Sequence, residues 1–276
     1  TVFSYAYGGS EMMTWMNTED GQVLRQETPW GWTLEAAAPM EAIQVDRRAA
    51  SQLDLTTALA VPVTPPITHP RTTTRLLLRL EGKGITELNL ASPRQHIRER
   101  TSNAVLLSVS SDALPATNDE TIPDAVRPEL QPTVYIQSDD PAIQRTAQKI
   151  TAGLTTPSDR VEALTRWVFQ NVRKDPSITL PSALDVLQSM RGDCNEHTYL
   201  FTALARAAGI PARVQVGLMY TQGAFYYHAW PAVYLGRWVE VDPTIGTAGV
   251  DATHIALLHG ELTEQIRLLN IIGQTR

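Results

Sequence analysis

Arg191-Gly192-Asp193-Cys194-Asn195-Glu196-His197 runs straight into Thr198-Tyr199-Leu200-Phe201-Thr202-Ala203-Leu204-Ala205-Arg206-Ala207-Ala208, and the fold is read outward from here. Asp193 is a helix-capping residue type, so the spacing predicts a helix that opens at Cys194. Its stripe is His197, Leu200, Phe201, Leu204 and Ala208, which favours packing over chemistry for His197. Gly209-Ile210-Pro211 stops the helix, and the period then changes to two: Val214, Val216 and Leu218, followed by runs over 225–235 and 237–242. Helices followed by antiparallel strands define an α+β class.

Upstream of Cys194 the chain reads as helical. Asp140-Pro141 opens a helix over 142–153, with proline in the first turn. Ser158 is read as the cap of a helix over 159–172, whose stripe is Val161, Leu164, Thr165, Val168 and Val172. Ser182 caps a short helix near 182–189, with Asp185 in its first turn, where a negative charge suits the helix dipole.

The first 110 residues have a different texture. Ala42-Ile43-Gln44-Val45-Asp46 and Ile85-Thr86-Glu87-Leu88-Asn89-Leu90 read as strands, and Arg75-Leu76-Leu77-Leu78-Arg79-Leu80 fits strand or helix. Val61-Pro62-Val63-Thr64-Pro65-Pro66 is extended, because proline removes an amide donor and restricts its predecessor. Between 111 and 132, Pro115, Pro123, Pro128 and Pro132 alternate with Asp112, Asp119, Glu120, Asp124 and Glu129. The expected organisation is a β-rich accessory domain over 1–110, a proline-rich acidic linker or long loop over 111–138, and an α+β domain over 139–276.

Composition excludes several classes. With 43% hydrophobic and 19% charged residues the chain is ordinary globular protein, and its net charge of −6 offers no phosphate-binding stripe, so no nucleic-acid partner is expected. No apolar run reaches transmembrane length. The start at Thr1 reads as a trimmed or processed form. The single cysteine forms no internal disulfide and no multi-thiolate metal site.

The chemistry-bearing pattern is Cys194, then His228 within Phe225-Tyr226-Tyr227-His228-Ala229-Trp230, then Asp242 at the end of Arg237-Trp238-Val239-Glu240-Val241-Asp242. A thiol at a helix start gains from unpaired amides and the dipole, both of which favour an anion. Its own amide is available to an oxyanion. On the strands, His228, Trp230 and Ala232 share one face, and a turn at Gly236 sets Asp242 opposite Trp230 and diagonal to His228, within reach of its imidazole. Pro231 complicates that pairing, since it cannot donate to the ladder. Each residue also has an ordinary reading: core thiol, packed histidine, turn aspartate. Cys194, His228 and Asp242 are legitimate zinc donors too, although CxxC or HExxH spacing is absent.

Gly192-Asp193-Cys194-Asn195-Glu196-His197, Ala203 to Arg213, Tyr227-His228-Ala229-Trp230 and Trp238 to Thr244 together resemble the transglutaminase-like (transglutaminase core) superfamily of papain-type cysteine enzymes. The resemblance covers 139–272 at most. It implies a papain-like fold in which a helix-borne cysteine packs on an antiparallel sheet, with Cys194 as nucleophile, His228 as base and Asp242 as its orienting acid. It also implies thiol-dependent acyl transfer on a peptide or protein substrate, with hydrolysis by a peptidase or amidase favoured. The alternatives are a calcium-independent protein-glutamine amine transferase and a non-catalytic binding module. Gln188 is the oxyanion candidate by analogy, and Tyr227 and Trp230 are candidates for a substrate wall. No cofactor or metal is expected, and no acidic calcium loop is visible. Bacterial chains of this look are commonly exported, so a periplasmic or extracytoplasmic place is expected, with the cytoplasm as the alternative.

Overall fold

A computed structural model describes residues 1–7, 10–27, 33–36, 60–82, 84–116, 121–175 and 182–261, with Leu268 and Ile271. The strand expected at 42–46 lies outside the described residues. The first strands, β1 (Val2–Tyr7), β2 (Ser10–Met16), β3 (Val23–Glu27) and β4 (Thr33–Glu35), form an antiparallel meander in that order. A second sheet contains β6 (Arg75–Glu81), β7 (Gln95–Arg100) and β8 (Ala104–Ser110), with β8 in the middle. The short strand β5 (Val61–Pro62) precedes it.

The 75–81 run is therefore a strand. The expected strand at 85–90 is corrected: Ile85–Glu87 is a 3-10 turn entered through Gly84 in the left-handed region. Ile85 and Leu88 are both buried, and a spacing of three is what a 3-10 turn brings to one side. Alternation was only apparent there.

The helices are α1 (Pro141–Thr151), α2 (Pro157–Asn171), α3 (Ala183–Ser189) and α4 (Cys194–Ala207). Asp140 caps α1, accepting from the Ala142 N–H at 2.7 Å. Thr156 caps α2, not Ser158; Pro157 takes the first helical position, and the Ser158 hydroxyl donates instead to the Pro115 carbonyl at 3.0 Å. Val161, Leu164, Thr165, Val168 and Val172 are all buried, as their period requires. Ser182 and Asp185 form a reciprocal capping box on α3. A two-residue parallel pair, β9 (Arg173–Lys174) with β10 (Arg191–Gly192), ties the end of α2 to the start of α4.

The main sheet follows: β11 (Ala212–Thr221), β12 (Ala224–Tyr234), β13 (Trp238–Glu240) and β14 (His254–His259), ordered β13-β12-β11-β14, with β5 also pairing β12. Every residue of α4 from Glu196 to Arg206 is buried between this sheet and the other helices. Each large apolar side chain held there, such as Leu200, Phe201 or Leu204, contributes about 1.5–3 kcal/mol. The core also takes in Leu80 and Leu107 of the second sheet. That sheet's neighbourhood bonds directly to the main one: Gln95 Nε2 donates to the Ala256 carbonyl at 2.9 Å, and the Ala252 N–H donates to the Thr73 carbonyl at 2.8 Å.

Candidate active site

The start of α4 is held by a second capping box. Asp193 accepts from the Asn195 N–H, and Glu196 reaches back to the Asp193 N–H, each at 2.9 Å. Gly192 makes this possible, since a Cβ there would lie 2.2 Å from the Glu196 Cβ. The box places Cys194 at the first helical position, half-buried ahead of the fully buried run that starts at Glu196.

The β12–β13 register explains what faces that thiol. Ala232 pairs with Glu240 and Tyr234 with Trp238, and the Val241 N–H donates to the Pro231 carbonyl at 3.0 Å. In an antiparallel ladder a residue's N–H and C=O point to the same side, so Pro231 directs its missing donor toward the end of β13, where ladder pairing stops. Continuing the register sets Asp242 opposite Trp230 and diagonal to His228. Asp242 Oδ2 indeed lies 2.7 Å from His228 Nε2. Ala229 points its N–H to the same edge as Pro231, beyond the last pair of β13, where it favours the ionised form of the Cys194 sulfur. Tyr227 clamps the same junction, its hydroxyl donating to Asn195 Oδ1 at 3.1 Å.

Burial pushes the Cys194 thiol well above its ordinary range; Asp193, Glu196 and Asp242 push it further, against the Ala229 amide. The two capping carboxylates sit where the helix dipole would otherwise favour a thiolate, which offsets the gain expected from the helix start. Asp242 behaves oppositely. Burial raises it, but attraction and hydrogen bonding from His228 and His254 hold it well below the usual carboxylate range.

Beneath His228 the support is aromatic and ionic. Trp230 is fully buried and stacks on His228 with ring centroids 5.6 Å apart at 20°. Its indole N–H donates to Glu240 Oε2 at 2.8 Å, and the same oxygen meets Arg94 Nη2 at 2.8 Å, both side chains almost wholly buried. Trp230 thus backs the imidazole from the protein side. Gln188 is exposed near the end of α3. His197 is buried, with Nδ1 2.6 Å from the Asp193 carbonyl and burial holding its pKa down.

His254 is the group that sequence reading missed. Its Nε2 lies 3.2 Å from the same Asp242 oxygen that meets His228. The only trace in the sequence is Asp251-Ala252-Thr253-His254, two titratable residues opening an apolar run, which carries no meaning until β14 is placed beside β11. His228, Asp242 and His254 present donor atoms within 4.8 Å of one another. The 2.7 Å His228–Asp242 separation is a charge-assisted hydrogen bond, shorter than the roughly 3.3 Å that two such donors span around a tetrahedral zinc ion.

The structure thus sets a buried imidazole–carboxylate pair on the sheet against which the helix opening at Cys194 packs, on an α+β scaffold. Residues 144–243 match the family model of the Transglutaminase-like superfamily, so this part of the chain is similar to a transglutaminase-like core. Kyphoscoliosis peptidase of Mus musculus is 32% identical over 114 residues, 34% of this chain and 17% of that protein. An uncharacterized protein of Haemophilus influenzae is 31% identical over 110 residues, 35% of this chain and 30% of its own length. The chain therefore spans less than a third of these curated relatives. Among solved structures, a candidate cysteine protease from Cytophaga hutchinsonii is 21% identical with a TM-score of 0.48, covering 75% of this chain and 76% of the other. No helix among the described residues is long and apolar enough to cross a membrane.

Proposed function

We propose that the protein is a thiol-dependent acyl-transfer enzyme that hydrolyses peptide or amide bonds through Cys194, His228 and Asp242. The observation that carries this reading is the 2.7 Å bond from His228 Nε2 to Asp242, on the strand whose next amide, Ala229, favours the Cys194 thiolate. That bond occupies Nε2 and leaves Nδ1 as the nitrogen to exchange a proton with the thiol. Because burial keeps Cys194 protonated, His228 takes the thiol proton as the sulfur attacks, and no thiolate need stand ready beforehand. The new S–C bond gives a tetrahedral oxyanion, for which the Cys194 amide, lacking an intrahelical acceptor, is a suitable donor. Collapse breaks the C–N bond, and the leaving amine takes the proton from His228. Water then attacks the thioester, giving a proton to His228; collapse breaks the C–S bond, the Cys194 sulfur takes that proton back, and the acid product departs and ionises in solvent. Asp242 holds the tautomer and balances the imidazolium in both halves.

Hydrolysis is favoured over amine transfer, in keeping with the name of the kyphoscoliosis peptidase likeness. The test is acylation by p-nitrophenyl acetate, followed by nitrophenolate release and intact mass. Wild type is expected to gain one acetyl group on Cys194 and lose it to water faster than to added methylamine. Cys194→Ala is expected to abolish the adduct, and His228→Ala to slow it about 100-fold or more. Equal rates in wild type and a folded His228→Ala would overturn the reading in favour of a binding module.

A further inference from the structure

His254 is fully buried, yet it stands between two carboxylates. Its Nε2 lies within hydrogen-bond reach of Asp242 Oδ2 at 3.2 Å, and its Nδ1 lies 3.4 Å from Asp251 Oδ1, an ionic approach without hydrogen-bond geometry. Asp251 is fixed in turn by the Thr253 N–H at 2.8 Å, the Thr253 hydroxyl at 2.5 Å and Arg71 Nη1 at 2.9 Å. A neutral imidazole donating to Asp242 would turn a bare nitrogen lone pair toward the Asp251 carboxylate, which is repulsive. A protonated ring donates to Asp242 and sets its positive charge beside Asp251, so both acids are attracted.

Charge balance gives the same answer. The chain of contacts is His228, Asp242, His254, Asp251 and Arg71, and two buried carboxylates are matched by His254 and Arg71 when His254 is charged. The other charged or titratable groups at this junction are Cys194 on α4, whose thiol feels the Asp242 charge, and the Arg94–Glu240 pair, which compensates itself. Arg94 also donates to the His254 backbone carbonyl, which anchors the residue without competing for its ring.

We infer that His254 is a positioning residue for the acyl-transfer site, an imidazolium clamped between Asp242 and Asp251 that fixes the Asp242 carboxylate for His228. Three contacts then define Asp242: His228 and His254 on Oδ2, and the Thr244 N–H on Oδ1 at 2.8 Å. The clamp also sets a permanent positive charge near His228, the two rings being 5.8 Å apart between centroids. A positive charge that close opposes the gain of another in the site, so removing it should move the pH dependence of acylation. The direction for His254 itself agrees: burial opposes its charge, but bonds and attraction from Asp242 and Asp251 outweigh burial and raise its pKa.

This inference rests on the acyl-transfer reading, and the experiment separates the two. The full chain is labelled with ¹⁵N-histidine, and the His254 ring signals are assigned by their loss in His254→Gln. Both ring nitrogens of wild-type His254 are expected to be protonated at neutral pH. In parallel, the pH dependence of Cys194 acylation by p-nitrophenyl acetate is compared between wild type and His254→Gln, which retains an N–H donor without the charge. The acid limb of the variant is expected to move up by about 0.5–2 pH units, the span of one charge at this distance over effective dielectrics of 20–80. A purely structural role would lower the rate at every pH without moving the limb. A neutral His254 in wild type, or superimposable limbs, overturns the clamp while leaving wild-type acylation intact. Absence of Cys194 acylation in wild type instead falls on the acyl-transfer reading itself.

Discussion

Gly217 on β11 and Ile255 on β14 approach so closely that a Cβ on Gly217 would lie 1.9 Å from the Ile255 carbonyl oxygen. The same Cβ would sit 3.0 Å from the edge of the Trp230 ring. The β11–β14 register shifts between Val216 and Gly217, where β14 presses in and carries His254 toward Asp242. The glycine is thus what lets β14, with its histidine, lie against the site.

Gly217→Ala is accordingly expected to destabilise the fold by about 1–3 kcal/mol, as overpacking does when backbone must move. Urea denaturation checks this. The displacement should also loosen the His254–Asp242 contact, so acylation should fall in the fraction that remains folded. An unchanged denaturation midpoint would mean that β14 gives way without cost.

Asp242→Asn retains the size of the side chain but donates where the carboxylate accepted, which favours the wrong His228 tautomer. The acylation rate at Cys194 is expected to fall by about 10²–10⁴-fold, with little change in the fold. Stopped-flow release of nitrophenolate is the measurement. A loss below tenfold would show that Asp242 is dispensable for orienting the base.

Arg94 and Glu240 are a buried pair, with 3% and 5% of their side chains exposed, and Glu240 also accepts from Trp230. Arg94→Met leaves that carboxylate without its cation, and a cost of about 3–5 kcal/mol is expected. Arg94→Met with Glu240→Gln should recover much of it, because the uncompensated charge is gone. Thermal or urea unfolding of the four-member cycle reads the coupling directly.

The His254 network should leave a two-sided signature on stability. Asp242 and Asp251 are held below the usual carboxylate range in the folded state, burial notwithstanding, by His254 and their other partners. Their contribution is present above the unfolded aspartate value of about 3.9 and is lost as pH falls through the lower folded values. His254 is raised, so its contribution is complete below the unfolded histidine value of about 6.5 and is lost as pH rises through the folded value. The stability difference between wild type and His254→Gln should therefore peak between about pH 4 and 6.5 and shrink on both sides. Denaturant midpoints across pH measure it, and a flat difference would contradict the network.

Much of the site was legible because it depends on local rules. Asp193, Ser182 and Asp140 cap the helices they were read to cap, since capping needs only a short polar side chain beside orphan amides. The stripe from Val161 to Val172 is buried as its period requires. Strand parity and one turn put Asp242 diagonal to His228, and the register that forms is the one counted along the chain. Where a local rule had two candidates the choice went astray: Thr156 displaced Ser158 because Pro157 fits the first helical position better.

By itself, then, the sequence determined the α+β order, the helix that opens at Cys194 and the pairing of His228 with Asp242, because each follows from periodicity, capping or register within one connected stretch. Only the tertiary structure decided what surrounds them. His254 and Asp251 reach Asp242 because β14 returns beside β11 at a glycine, and Arg71 and Arg94 arrive from a segment more than a hundred residues away. Such contacts depend on which strands become neighbours, which no local pattern encodes. Burial opposes ionisation at both acids of the site: at Asp242 the two imidazoles outweigh it, whereas at Cys194 it prevails and raises the thiol.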